Sequence, residues 1–282
     1  MKKIIIVTML LLSTIGFTQN TQNLLKENGR KGKLYFYWGW NRSSYTKSDI
    51  TFKGDNYRFK LKNVKAKDRQ SKFTVDKFFN PANVTIPQYN FRVGYYLTNN
   101  WDISFGIDHM KYVAQQGSIA QIIGNINTGS EFDGVFNGED IELQEGFLEF
   151  EHTDGLNFVN VDIRHTNKIL DAKVVTFDLT KGFGAGVLYP KTNATLLNNE
   201  RYDEFNIAGY GVSVVAGINI TFFKRFFIQS ELKSGFIDLP NIRTTQSSAD
   251  SASQNFFFFQ RNIVFGGIFN LTKASKIRNN KK

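Results

Sequence analysis

The sequence contains no cysteine, only 4 prolines and only 3 histidines in 282 residues. Without cysteine there is no disulfide framework, no thiolate metal site and no cysteine nucleophile. Low proline, beside 23 glycines and an aromatic set of 28 Phe, 11 Tyr and 3 Trp, separates the chain from disordered compositions. Long hydrophobic runs are scarce as well. Only the first 18 residues hold one: Lys2 and Lys3 precede an apolar stretch over 4–17, and Gly16 and Thr18 supply small residues before Gln19. That order reads as a secretory signal with cleavage after residue 18. No later stretch approaches the ~18 consecutive apolar residues of a spanning helix. The exported chain is therefore expected to be soluble or a membrane barrel. Its formal charge of +10 falls to +8 once the signal, with two lysines and no acid, is removed.

What is present is a period of two. Eight segments alternate: 34–45, 88–98, 101–113, 156–168, 172–188, 205–222, 226–239 and 256–271. In 205–222 one face reads Ala208, Tyr210, Val212, Val214, Ala216, Ile218, Ile220, Phe222, and the other is small or polar, with Gly209, Gly211, Ser213, Gly217 and Asn219. Such lengths exceed the ~5–6 residues of an ordinary strand. They fit strands crossing a bilayer, which need ~9–11 residues, an apolar outer row and a polar inner row. The connectors alternate too. Asn99–Asn100, residues 169–171 and 223–225 are short, whereas 46–87, 114–155, 189–204 and 240–255 are long. Short turns on one rim and long loops on the other match outer-membrane barrels and place both chain ends on the periplasmic side. Aromatic girdles are expected from Tyr35, Phe36, Tyr37, Trp38, Trp40, Trp101 and Phe256 to Phe259. Lys181 and Arg261 fall on the outward row, which calls for a bulge or a position near an interface.

On this pattern, and on the stretches YFYWGWNRSSY, IPQYNFRVGYYLTNNWDISFGIDHMKY and EHTDGLNFVNVDI, the chain resembles the small eight-stranded outer-membrane β-barrel proteins of the Bacteroidota type. It departs from them after Phe269, where a basic extension over 273–282 follows the last strand. The reading is an all-β, transmembrane, up-and-down antiparallel barrel of eight strands with long extracellular loops. Ten is the alternative count if Ile50 to Leu61 also crosses; that stretch is placed above the membrane. The expected organisation is a signal at 1–18, a periplasmic segment at 19–32, the barrel at 33–271 and a basic periplasmic tail at 272–282, in the outer membrane after Sec-type export.

Charge of both signs falls on the inward rows: Arg92, Asp102, Asp108, Asp162, Arg164, Asp178, Glu231 and Lys233. An eight-stranded barrel is just wide enough for side chains to fill, and buried ions must pair. A salt-bridged plug is therefore expected rather than a narrow channel. The first two long loops have opposite character. Residues 46–87 hold ten basic and four acidic residues, whereas 115–155 hold nine acids and no Lys or Arg. The two are expected to pack as one cap over the barrel mouth, with Phe52, Tyr57, Phe59, Ile122 and Ile123 beneath the charges. The partners expected are outer-membrane lipid and lipopolysaccharide, and not nucleic acid; a surface or periplasmic protein partner stays unidentified. No cofactor or metal is expected. The one catalytic-looking cluster is Glu149, Glu151, His152, Thr153 and Asp154. The HTDGLN stretch weakly resembles the His-x-Ser element of outer-membrane lipid A deacylases, which implies His152 as base with Thr153, Asp154 and Glu149 about it. Position 154 is Asp, not the nucleophilic Ser of that element. The favoured function is a non-enzymatic structural or surface-interaction barrel; the alternatives are a lipid A or phospholipid hydrolase at His152, and a channel.

Overall fold

The computed structural model describes residues 29–80, 82–83 and 85–270, apart from the side chain of Thr153. The expected signal, most of segment 19–32 and the basic tail lie outside the described residues. Among the described residues, fifteen strands and one short helix run in the order β1 (Lys33–Tyr45), β2 (Ser48–Gly54), β3 (Tyr57–Val64), β4 (Ala66–Lys67), α1 (Val75–Phe79), β5 (Tyr89–Tyr96), β6 (Trp101–Ala114), β7 (Ile119–Ile126), β8 (Gly134–Glu142), β9 (Leu148–Asp171), β10 (Val175–Leu188), β11 (Lys191–Leu196), β12 (Tyr202–Phe205), β13 (Gly209–Phe222), β14 (Phe226–Arg243) and β15 (Ser251–Asn270).

Each of the eight alternating segments forms a strand, from 8 residues in β5 to 24 in β9, and these pair antiparallel in the order β1-β5-β6-β9-β10-β13-β14-β15. β15 pairs in turn with β1, from Lys33 opposite Asn270 to Tyr45 opposite Phe258, so the circuit closes. Its stagger can be read directly. Tyr35 faces Gly94, then Ser104, Asp162, Gly184, Ser213, Gly235 and Phe258, and Phe258 faces Tyr45. One turn thus climbs from position 35 to position 45 of the same strand. For eight strands this stagger implies a tilt of about 40°. The three short connections, which end at Trp101, Val175 and Phe226, define the lower end.

Alternation assigns the faces. In β13 the odd positions from Gly211 to Thr221 point inward and Tyr210, Val212, Val214, Ala216 and Ile218 point outward. Lys181 and Arg261 do point outward and are exposed. The register shift in the β9–β10 pair sits at Phe177/Asp178, below Lys181, and turns neither residue inward. Four girdle assignments are corrected. Tyr35 and Tyr37 are buried in the interior, as are Phe256 and Phe258, because each lies on the inward parity of its strand. Phe36, Trp101, Phe257 and Phe259 face outward.

The long loops are themselves largely strand, which is the main departure from expectation. β2 and β3 form a hairpin from 48 to 64 that stands outside the eight-strand circuit and extends the sheet beyond β15. β3 then pairs with β7, and β7 with β8. On the other side β9 continues past the barrel to pair with β11, which pairs with β12. These strands run for only 4–9 residues, within the range of ordinary strands, so a pattern of alternation over bilayer-length segments does not mark them. Together they enclose an apolar upper core that contains Phe52, Phe59, Ile122, Phe147, Phe150 and Ile237. Among the described residues no helix is long and apolar enough to cross a membrane.

Candidate functional site

The interior of the lower barrel is polar and full. All eight inward charges named from the sequence are buried. Asp162 is central: it lies 3.2 Å from Arg92 Nη1, 2.9 Å from Arg164 Nη2 and 3.8 Å from Lys233 Nζ. Asp108 pairs with Lys233 and lies 3.7 Å from Arg92, and Glu231 pairs with Arg164. Asp102 stands apart from these pairs and accepts the Tyr35 hydroxyl at 2.6 Å. Asp178 pairs with Arg30, near the lower mouth. The large side chains fit because their cross-strand neighbours are small. A Cβ on Gly184 would overlap the Asp162 carboxylate, and one on Gly106 would crowd the Arg92 stem.

Neutral partners complete the network. Tyr37 Oη accepts from Arg92 Nε at 3.1 Å and Arg164 Nη2 at 3.0 Å. Asn160 accepts from Arg92 at 2.6 Å and donates to Asp108 at 3.0 Å, and Asn262 donates to Glu231 at 3.2 Å. Tyr37, Asn160 and Asn262 were readable in principle, since each holds inward parity within a segment already identified. Arg30 was not, because it precedes the first alternating residue. Its guanidinium also lies over the Tyr96 ring at 5.7 Å. A residual space of about 20 Å³ beside Arg30, Tyr37 and Asp102 is about the size of one water molecule.

The His152 cluster is dispersed by strand parity. Phe150 and His152 point into the upper core, whereas Glu149 is exposed on the opposite face. His152 is fully buried, its Nδ1 is 2.9 Å from Thr192 Oγ1, and its ring packs against Tyr112 and Phe150. Burial pushes its pKa down to about 3. Asp154 faces solvent, 3.5 Å from Lys191. Glu151 pairs with Arg69 at 2.8 Å. A base held away from any acid, in apolar surroundings and out of reach of solvent, lacks the orienting partner that nucleophile activation needs. His109 is elsewhere, 2.8 Å from Asn157 and stacked on Tyr89, and His165 packs against Trp101. Among the described residues no three His or carboxylate side chains converge as metal ligands.

No protein-family model matches the chain, and a search of curated proteins finds no match. Among solved structures, the chain is similar to the outer membrane protein OprG from Pseudomonas aeruginosa, with 8% identity and a TM-score of 0.41, over 86% of this chain and 99% of that one. It is also similar to Ail, the attachment invasion locus protein of Yersinia pestis, with 9% identity and a TM-score of 0.27, over 83% and 99% of the two chains. Neisserial surface protein A gives 7% and 0.28, over 80% and 95%. These likenesses are too distant to carry the architecture, which rests on the pairing of this chain's own strands.

Proposed function

We propose that this protein is an outer-membrane β-barrel with a side-chain-filled lumen and a charged extracellular cap, acting as a structural or surface-interaction protein among outer-membrane lipids and lipopolysaccharide. The observation that carries the reading is inverted polarity. Outside the eight-strand circuit stand Phe36, Val93, Ile103, Phe105, Phe183, Val214, Ile218, Leu232 and Phe265, all exposed, while Arg92, Asp162, Arg164 and Lys233 are buried within. A soluble protein rarely exposes contiguous apolar patches beyond a few hundred Å². Lipid removes that cost, and a closed sheet leaves no backbone group unpaired in it. α1 supports the same environment: Phe78 and Phe79 pack on Trp40 of the outer wall, and Phe73, Val75 and Phe79 remain exposed.

Export through residues 1–18 and placement among Bacteroidota barrels rest on the sequence reading. The filled interior supports a non-conducting barrel over a channel, and the burial of His152 gives a rim hydrolase no support. The test is heat-modifiable migration of the membrane-extracted protein, followed by recording in planar bilayers. The barrel reading requires different mobilities before and after boiling, and the plug reading requires no conductance steps. Identical mobilities with a helical circular-dichroism spectrum refute the barrel; stable single-channel steps refute the plug.

A further inference from the structure

The outer wall carries two arginines that no described residue neutralises. Arg42 on β1 and Arg261 on β15 are direct cross-strand partners, and both side chains are exposed. Opposed positions place Cβ atoms about 4.5–5.5 Å apart, and like charges there are destabilising. Among the described residues neither guanidinium has an ion pair or hydrogen bond. The frame around them is apolar below, with Trp40 opposite Ile263 and Leu232 on the far side of Arg261, and changes to Ser44 opposite Phe259 above.

Their height is informative. Each lies nine residues from the lower end of its strand, since β1 begins at Lys33 and β15 ends at Asn270. At ~3.3 Å per residue and a tilt near 40° that is about 23 Å, close to the ~25 Å apolar band of such barrels. The pair therefore sits where the outer leaflet's headgroups begin. Directly above it opens a groove of about 650 Å³, lined among others by Thr46, Lys47, Lys60, Asp238 and Phe257. Amines, carboxylate and hydroxyl suit sugar hydroxyls, and an aromatic edge suits a sugar face.

Resting on the barrel reading, we infer that Arg42 and Arg261 clamp a phosphate of an outer-leaflet glycolipid, with the phosphorylated sugar extending into this groove and the acyl chains descending past Trp40 and Ile263. Two guanidiniums facing one phosphate give charge-assisted, forked hydrogen bonds, and the anion removes the repulsion between them.

The experiment is native mass spectrometry of the signal-processed protein in neutral detergent, titrated with bisphosphorylated lipid A, dephosphorylated lipid A or phosphatidylglycerol. Arg42→Gln/Arg261→Gln should weaken lipid A binding roughly tenfold, each single variant should fall between, and Lys181→Gln, a lone outward cation, should bind like the parent. The parent should bind dephosphorylated lipid A and phosphatidylglycerol at least tenfold more weakly than lipid A, and 10 mM inorganic phosphate should not displace it. Equal affinity of parent and double variant overturns the clamp; so does equal affinity for the dephosphorylated lipid, a comparison that needs no variant. Equal binding of phosphatidylglycerol overturns the sugar assignment, and displacement by free phosphate overturns a lipid source. Heat-modifiable folding in phosphatidylcholine is scored separately, so a folded barrel with no lipid A preference refutes this inference alone.

Discussion

Asp162 shows what a single buried residue decides. Its carboxylate touches Arg92, Arg164 and Lys233, three cations that would otherwise repel one another in a dry interior. Removing one partner of a buried ion cluster costs about 3–5 kcal/mol, because the remaining charges stay buried. Asp162→Ala should lower the unfolding free energy of the refolded barrel, read from its urea transition, by that amount, whereas Asp171→Ala, in a pair that is half exposed, should change it by less than about 1 kcal/mol. His152 acts in the opposite sense. It is held neutral, with a pKa near 3 against an ordinary 6.5. Its share of stability is complete above pH 6.5 and declines as pH falls from there towards 3, by up to about 1.4 kcal/mol per pH unit. Asp68, pushed up to about 6 by burial, works against this trend, since it regains stability as pH falls from 6 towards 3.8. The difference between parent and His152→Gln isolates the histidine: the variant's stability should fall less steeply below pH 6.5. Parallel profiles would show that His152 titrates freely.

A barrel strand presents two solvents to one chain, and β13 tests whether its faces are assigned correctly. Val214 is exposed on the outer row, and Ser213 is buried between Gly184 and Gly235. Val214→Arg should cost roughly 2–4 kcal/mol in vesicles, the depth-dependent cost of a cation on the lipid face. In detergent, where head groups can rearrange, that cost should shrink. Ser213→Arg should destabilise equally in both, because it overfills the interior beside the Asp162 network. Urea unfolding of both variants in vesicles and in micelles distinguishes them. The same medium dependence at both positions would mean the outward row is misassigned.

At the scale of the whole molecule, a polar-cored lower barrel continues into an apolar-cored upper sheet. Basic segment 46–87 and acidic segment 115–155 do meet, but through the β3–β7 ladder, from Tyr57 opposite Ile126 to Lys62 opposite Gln121. Phe52, Tyr57, Phe59 and Ile122 are buried beneath it, whereas Ile123 faces outward. Charge complementarity lies across the outer surface, with Arg58 and Lys60 on β3 separated from Asp140 on β8 by the neutral β7. Salt screens exposed charges beyond ~8 Å at physiological strength but not backbone pairing or apolar burial. Protease nicking within 57–64 should therefore be insensitive to salt. Nicking at 68–72, where Arg69 meets Glu151 across the two segments, should accelerate in high salt. Faster cleavage within β3 at high salt would mean that ion pairs hold the ladder.

The period of two is enough to locate the eight strands of the circuit, the inward parity of Arg92, Asp108, Asp162, Arg164, Glu231 and Lys233, and the short turns, because each depends on residues adjacent in the chain. Parity also held Tyr37 and Asn160, although their aromatic and amide chemistry did not announce a role in an ion network. What the tertiary structure decided is non-local. The ten-residue stagger from Tyr35 to Tyr45, the pairing of β3 with β7 and the return of Arg30 to Asp178 each join residues that are distant in sequence. His152 shows the same limit at one residue: its motif suggested a rim base, but the extension of β9 to pair with β11 turned it into the upper core. A local pattern specifies which face a side chain takes on its own strand; only the partner strand determines whether that face meets lipid, solvent or a packed interior.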